Sequence, residues 1–248
     1  MRKWPLVAGA LAGGGAYALY NGQTPTAQGF GKTFRGTPGH GGLMALTYDD
    51  GPNTAWTPAL LEVLAEHDVK ATFFAIGRYA EQEPGLLREV AAAGHAIGNH
   101  TYSHVSMPLH TGETIRRELR ATSAAIEAAG VEPASAQGRR LMRPPYGHRR
   151  PGTLQVLREE GYLAVTWSVT LWDWSRGVTT EKIMHKAERQ IRGGDVILLH
   201  DGCDVAMGYD RSHSVEATQQ ILARWKEREG YAFVTIPEMI EATGFEAA

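Results

Sequence analysis

Short apolar runs that end in chemically capable residues, each followed by a helical stretch, recur from Leu43 almost to the C-terminus. Leu43-Met44-Ala45-Leu46-Thr47-Tyr48 ends at Asp49-Asp50, and Pro58 to Glu66 then shows helical spacing of apolar positions. Ala71-Thr72-Phe73-Phe74-Ala75-Ile76 suits a strand and precedes a helix from Ala80 to Ala93 that Gly94 stops. Ala96-Ile97-Gly98 ends at Asn99-His100, ahead of a long amphipathic helix from Gly112 to Ala129 with Thr111 or Thr114 as cap. Leu141-Met142-Arg143, Leu163 to Val169, Asp195 to Leu199 and Tyr231 to Ile236 continue the series. Helices at Gly152 to Glu160, Glu181 to Ile191 and Val215 to Glu229 separate them. Strands alternating with helices pair in parallel and need cover on both faces. Seven such units fit an α/β fold, a distorted (β/α)7 barrel in a single domain, with a doubly wound open sheet as the alternative. The barrel is preferred because polar residues recur where the runs end, the place where barrel active sites are assembled.

With 248 residues and 43% hydrophobic content, the chain can bury one substantial core and is short for two independent domains. A net charge of −2 with scattered Lys and Arg offers no basic field for nucleic acid. Cys203 is the only cysteine, so no intramolecular disulfide forms; set between acids in Asp201-Gly202-Cys203-Asp204, it reads as a loop thiol rather than a nucleophile. Arg2-Lys3 precede a weakly apolar stretch from Leu6 to Tyr20, which resembles a bacterial export signal with Ala16-Tyr17-Ala18 as its cleavage site. Residues 1–20 are therefore expected to be a signal peptide or an N-terminal anchor, placing the chain outside the cell or at its envelope. Residues 21–42, dense in Gly, Thr, Pro and Gln, read as a linker or irregular lead-in to a folded domain over 43–243.

Asp49 and Asp50 stand in Thr47-Tyr48-Asp49-Asp50-Gly51-Pro52. Neighbours on a strand point to opposite sides, but a turn at the strand end lets two carboxylates reach one cavity. Alone, the motif is more often just a turn. His100 and His104, four apart, share a face if helical and can also converge in a tight loop. Two imidazoles and one of the carboxylates suit zinc or another first-row divalent ion, leaving the second aspartate for proton transfer.

In chain order the strand ends carry Asp49-Asp50, His100 with His104, Arg143-Pro144-Pro145-Tyr146, Asp173-Trp174 and Leu198-Leu199-His200. This resembles the polysaccharide deacetylase family, the NodB-like carbohydrate esterases that remove acetyl groups from amino sugars, over nearly all of residues 43 to 243. The resemblance implies that Asp49 is the general base and that Asp50, His100 and His104 hold one divalent transition metal, zinc first, with cobalt, nickel or manganese as other occupants. His200 would protonate the leaving amine, tuned by Asp173 and packed by Trp174. Arg143 would position the base and link it to Asp173. Tyr146 would offer its backbone N–H to a developing oxyanion, Leu198 would line an acetyl-methyl pocket, and Pro145 would also touch substrate. The family often carries a further aspartate where this chain has Thr170.

The activity so implied is that of a secreted metal-dependent hydrolase taking N-acetyl groups from N-acetylglucosamine residues of peptidoglycan or chitin-like oligomers. An O-acetyl esterase on xylan or a related glycan and a non-catalytic glycan-binding relative are the alternatives. The expected partner is an acetylated glycan, with no nucleic acid and no stable protein partner, the chain acting as a monomer. The loop from Asp204 to Arg211 is expected to wall the groove. His40, His67, His95, His110, His148, His185 and His213 are expected to be solvated bystanders, His148 being nearest to substrate.

Overall fold

In the computed structural model, which describes residues 15–246, the run after Gly42 forms β1 (Leu43–Asp49), buried along almost its whole length. β2 (Thr72–Ala75) lies parallel on one side and β8 (Val196–His200) parallel on the other. Beyond β2 follow β3 (Ala96–Asn99), β5 (Arg139–Met142) and β6 (Tyr162–Ala164), and beyond β8 lies β7 (Val169–Thr170), all parallel. A short β4 (Ser135–Ala136) pairs antiparallel with β5, and β9 (Ala232–Phe233) joins the start of β1. The parallel strands curve round until only β6 and β7 remain unpaired with each other. This is the distorted (β/α)7 barrel expected from the alternation, in one domain.

Alternation along β1 sorts two layers. Met44, Leu46 and Tyr48 face the helices, packed with Leu60 and Leu64 of α2 (Trp56–Glu66) and Ala217 and Ile221 of α8 (Ser212–Ile221). Ala45 faces inward with Phe74, Leu141, Val196 and Leu198, and Thr47 and Asp49 continue that inward row. Gly98 is needed beside them, because a Cβ there would lie 2.6 Å from the Phe74 ring that fills the barrel. On the remaining flanks stand α3 (Gly77–Gln82), α4 (Pro84–Ala92), α5 (Gly112–Ala128), α6 (Pro151–Glu159) and α7 (Thr180–Gln190). The Thr111 side chain caps α5 by accepting the Thr114 N–H at 3.2 Å. At the opposite end from the strand termini, α9 (Ile236–Thr243) closes the barrel with Ile236, Met239 and Ile240, its start fixed by a capping box between Thr235 and Glu238.

The expected strand from Leu163 to Val169 is broken into β6 and β7. Phe34 occupies the gap: its N–H donates to Ala164 O at 2.9 Å and its carbonyl accepts the Thr166 N–H at 2.7 Å. Gly36 bridges to Asp195 on the other side. The lead-in over 21–42 is thus irregular yet bound to the fold. Arg149, itself buried, donates to the carbonyls of Thr24, Pro25, Ala27 and Gly147, and burial pushes its pKa down to about 10. Arg2-Lys3 and the first part of the Leu6 to Tyr20 stretch, on which the expectation of a signal peptide or anchor rests, lie outside the described residues. Residues 15–23 form α1, and among the described residues no helix is long and apolar enough to cross a membrane.

One bystander histidine departs from expectation. His95 is buried, with Nδ1 accepting the Ala71 N–H at 3.1 Å, and burial together with the Lys70 charge pulls its pKa down to about 4.

Candidate metal centre and catalytic site

Strand ends β1, β3, β5, β7 and β8 and the loops after them enclose a cavity of about 430 Å³, lined by Asp49, Asp50, His100, His104, Tyr146, Trp174, Leu198 and His200. Left-handed backbone concentrates here, with φ of 73° at Asp50, 64° at Thr101, 58° at His104, 60° at Tyr146 and 59° at Trp172. Such angles cost a residue that carries a Cβ, a β-branched one most of all, so the surroundings must impose them. At Thr101 they do so through its N–H, which donates to Asn99 Oδ1 at 2.8 Å, and its carbonyl, which accepts the Gly77 N–H at 3.0 Å. The turn at Asp50 swings its carboxylate away from the helix-facing side, where strand alternation would leave it, and into the cavity beside Asp49. A Cβ on Gly51 would lie 2.0 Å from Asp201 Oδ2, and one on Gly202 2.0 Å from the Asp50 carbonyl oxygen. Only glycine lets the β1 and β8 exits press together so closely.

Asp50, His100 and His104 are all buried, and one potential ligand atom from each lies within 4.8 Å of the others. His100 Nδ1 donates to the Arg143 carbonyl at 2.8 Å, which leaves its Nε2 lone pair facing Asp50 Oδ1 at 3.4 Å. His104 Nε2 faces the same oxygen at 3.2 Å. Asp50 Oδ1 is buried without a hydrogen-bond partner of good geometry. Lone pairs converging on an orphaned carboxylate oxygen call for a cation, and the donor set of two imidazoles and one carboxylate fits a divalent transition metal. The electrostatics agree: burial works to raise the Asp50 pKa, but the His100 contact and the charges of His200 and His104 hold it well below the carboxylate range. Burial likewise opposes charge on His100, yet Asp49 and Asp50 push its pKa above the usual imidazole value.

Asp49 and His200 flank this set, each held from behind. Arg143, fully buried, donates through Nη1 to Asp49 Oδ1 at 2.7 Å and to Thr47 Oγ1 at 2.8 Å. Its guanidinium lies over Phe74 at 4.3 Å and Trp167 at 5.5 Å. With Oδ1 so occupied, Asp49 turns Oδ2 toward the metal set, 3.7 Å from His100 Nε2. On the other flank, His200 Nδ1 is 2.9 Å from Asp173 Oδ1, and Asp173 Oδ2 accepts the His200 N–H and the Ser214 hydroxyl, each at 2.7 Å. The Trp174 ring meets the His200 ring edge-on at 4.9 Å. Burial disfavours the His200 cation, but the Asp173 charge and hydrogen bond outweigh it and raise the pKa.

Two expectations need correction. Among the described residues no hydrogen bond or ion pair joins Arg143 to Asp173; Arg143 Nη2 instead donates to the Thr166 carbonyl at 3.2 Å, and the Asp173 oxygens are taken up by His200 and Ser214. Pro145 is buried beneath the Tyr146 turn and is absent from the cavity wall, its fixed φ serving the turn rather than a ligand. Asp204, Val205, Tyr209 and Arg211 do line the cavity, as expected of that loop.

No role was expected for Asp201, Thr47 or Ser214, and none beyond the groove wall for Asp204. Asp201 carried a usable signal, since it directly follows a strand-end histidine; it is buried, accepts the Thr57 hydroxyl at 2.6 Å, and is pushed up to about 7 by burial and the Asp50 charge. Thr47 and Ser214 had none, because a hydroxyl supporting a charged group from a distant element leaves no trace in local spacing.

Known proteins resemble this chain in sequence and in structure over most of its length. The profile of the family described as Polysaccharide deacetylase matches residues 36–165. A peptidoglycan-N-acetylglucosamine deacetylase of Bacillus cereus is 34% identical over 209 residues, covering 82% of this chain and 90% of that one. A chitooligosaccharide deacetylase of Sinorhizobium fredii is 37% identical over 199 residues, 78% of this chain and 89% of that one. Among solved structures, the Bc1960 peptidoglycan N-acetylglucosamine deacetylase superposes with a TM-score of 0.73 at 34% identity, over 84% of this chain and 91% of that one. Family match, identity, coverage and superposition agree, and the chain belongs to the polysaccharide deacetylase family.

Proposed function

We propose that this chain is a metal-dependent hydrolase that removes N-acetyl groups from N-acetylglucosamine residues of a peptidoglycan-like or chitin-like glycan, acting outside the cytoplasm. The observation that carries this reading is the flanking of one metal-ligand set by a carboxylate held on Arg143 and an imidazole held on Asp173. Asp50, His100 and His104 would hold the ion, zinc being the natural occupant; when bound it supplies Lewis acidity toward the acetyl carbonyl and the attacking water. Asp49 Oδ2 accepts a proton as water adds to the carbonyl carbon. The Tyr146 backbone N–H, on a left-handed turn at the cavity wall, would donate to the oxyanion that forms. His200 gives its proton to the nitrogen as the C–N bond breaks, and acetate and a free amine leave. Leu198, at the cavity wall, suits the acetyl methyl group.

A part-buried, carboxylate-supported His200 favours an amide over an ester, because an amine expelled as an anion is prohibitively unstable whereas an alkoxide needs less help. Zinc-loaded protein is expected to release acetate from N-acetylglucosamine oligomers, and a chelator to abolish the release. No acetate from chitin oligomers or peptidoglycan would refute the proposal, and release from acetylated xylan alone would replace it with an esterase. Relation to the cell envelope rests on Arg2-Lys3 and the Ala- and Gly-rich stretch that follows.

The Asp173 contact also sets a pH dependence. His200 must be protonated to act as acid, and Asp173 is what raises its pKa against burial. In Asp173→Asn that influence is lost, His200 loses its proton at lower pH, and the alkaline limb of kcat/KM moves toward acid. An unmoved limb would remove His200 as the group titrating there.

A further inference from the structure

The two histidines of the metal-ligand set are steadied in different ways. His100 Nδ1 donates to a backbone carbonyl, that of Arg143, at 2.8 Å. His104 Nδ1 is buried without a hydrogen bond of good geometry, and what faces it is Asp204 Oδ2 at 3.2 Å. A histidine that ligates through Nε2 must carry its proton on Nδ1, and a buried N–H without an acceptor is costly. Asp204 lies in the loop after β8, outside the matched motifs, and its backbone is tied down. Its carbonyl accepts from Arg78, and the adjacent Cys203 carbonyl accepts the Tyr79 hydroxyl at 3.0 Å. Its Oδ2 also receives the Tyr146 hydroxyl at 3.4 Å, and the Tyr146 ring packs edge-on against His104 at 4.7 Å, so one carboxylate oxygen ties together two rings that already touch.

We infer that Asp204 is a positioning residue of the metal centre: it accepts the Nδ1 proton of His104, fixes that tautomer and directs Nε2 at Asp50. The inference rests on Asp50, His100 and His104 being the ligands. Because the Asp204 side chain is only part-buried, its removal spares the core.

The test is a zinc titration against a chromophoric chelator on the full chain, with thermal unfolding of zinc-free and zinc-loaded protein alongside. Asp204→Ala is expected to weaken zinc binding about 10–100-fold, to leave the melting temperature of the zinc-free protein unchanged and to shrink the rise that zinc produces. Asp204→Asn, which keeps an oxygen acceptor but no charge, should retain most of the affinity. An Asp204→Ala protein that binds zinc like the parent would overturn the role. So would an Asp204→Asn protein as weak as the alanine variant, since charge rather than acceptance would then be at work. A parent chain that binds no zinc would overturn the ligand set itself.

Discussion

Asparagine in place of Asp49 is expected to slow acetate release by about 10²- to 10⁴-fold, the usual contribution of a positioned general base. The substitution is conservative where the fold needs it. Asp49 Oδ1 accepts from Arg143 Nη1 at 2.7 Å, and an amide oxygen can do the same, so Arg143 keeps a partner and the barrel interior keeps its volume. What changes is Oδ2, the atom turned toward the metal set, which becomes an N–H2 group with no lone pair for a proton. Because a base acts only in the transition state, kcat and kcat/KM should fall together while KM holds. Zinc affinity measured on the same protein should stay within a few fold of the parent. A loss of activity under tenfold at full zinc occupancy would move the base to another group.

Arg143→Met is expected to destabilise the fold by about 3–5 kcal/mol, the cost of leaving a buried charge without its partner. Arg143 is the nearest cation to Asp49 among the described residues, His100 Nε2 standing off at 3.7 Å: Arg143 is fully buried, and its only carboxylate contact among the described ion pairs is Asp49. Methionine roughly replaces the aliphatic volume between Phe74 and Trp167, which isolates the loss of charge from the loss of packing. The double variant with Asp49→Asn should regain much of the stability, because removing both partners of a buried pair is far cheaper than removing one. It should regain no activity. Urea denaturation with unchanged slope would measure both effects, and a single-variant loss below 1 kcal/mol, about the median for an exposed pair, would show that Asp49 is solvated or protonated in the absence of Arg143.

How much of this could be read from residues alone depended on distance along the chain. Apolar runs ending in Asp49-Asp50, Asn99-His100 and Leu199-His200 announced both barrel and site, since hydrophobic period and strand-end chemistry are local signals. The break between β6 and β7 was invisible because its cause is Phe34, whose two backbone hydrogen bonds to Ala164 and Thr166 follow no periodicity. His95 looked like any loop histidine until β2 supplied the Ala71 N–H to its ring. Asp204 was legible as part of a wall but not as a neighbour of His104, because that contact exists only once the loops after β3 and β8 meet.

Arg149 joins what seemed two separate matters, where the chain enters the fold and what its cavity faces. The same side chain that gathers the carbonyls of Thr24, Pro25 and Ala27 sits three residues after Tyr146 and grips the Gly147 carbonyl as well. The lead-in and the turn that carries Tyr146 are therefore tied through one buried guanidinium. If the segment upstream of the lead-in is the anchor expected of it, the mouth of the cavity is aimed by its mounting, as a fixed blade is.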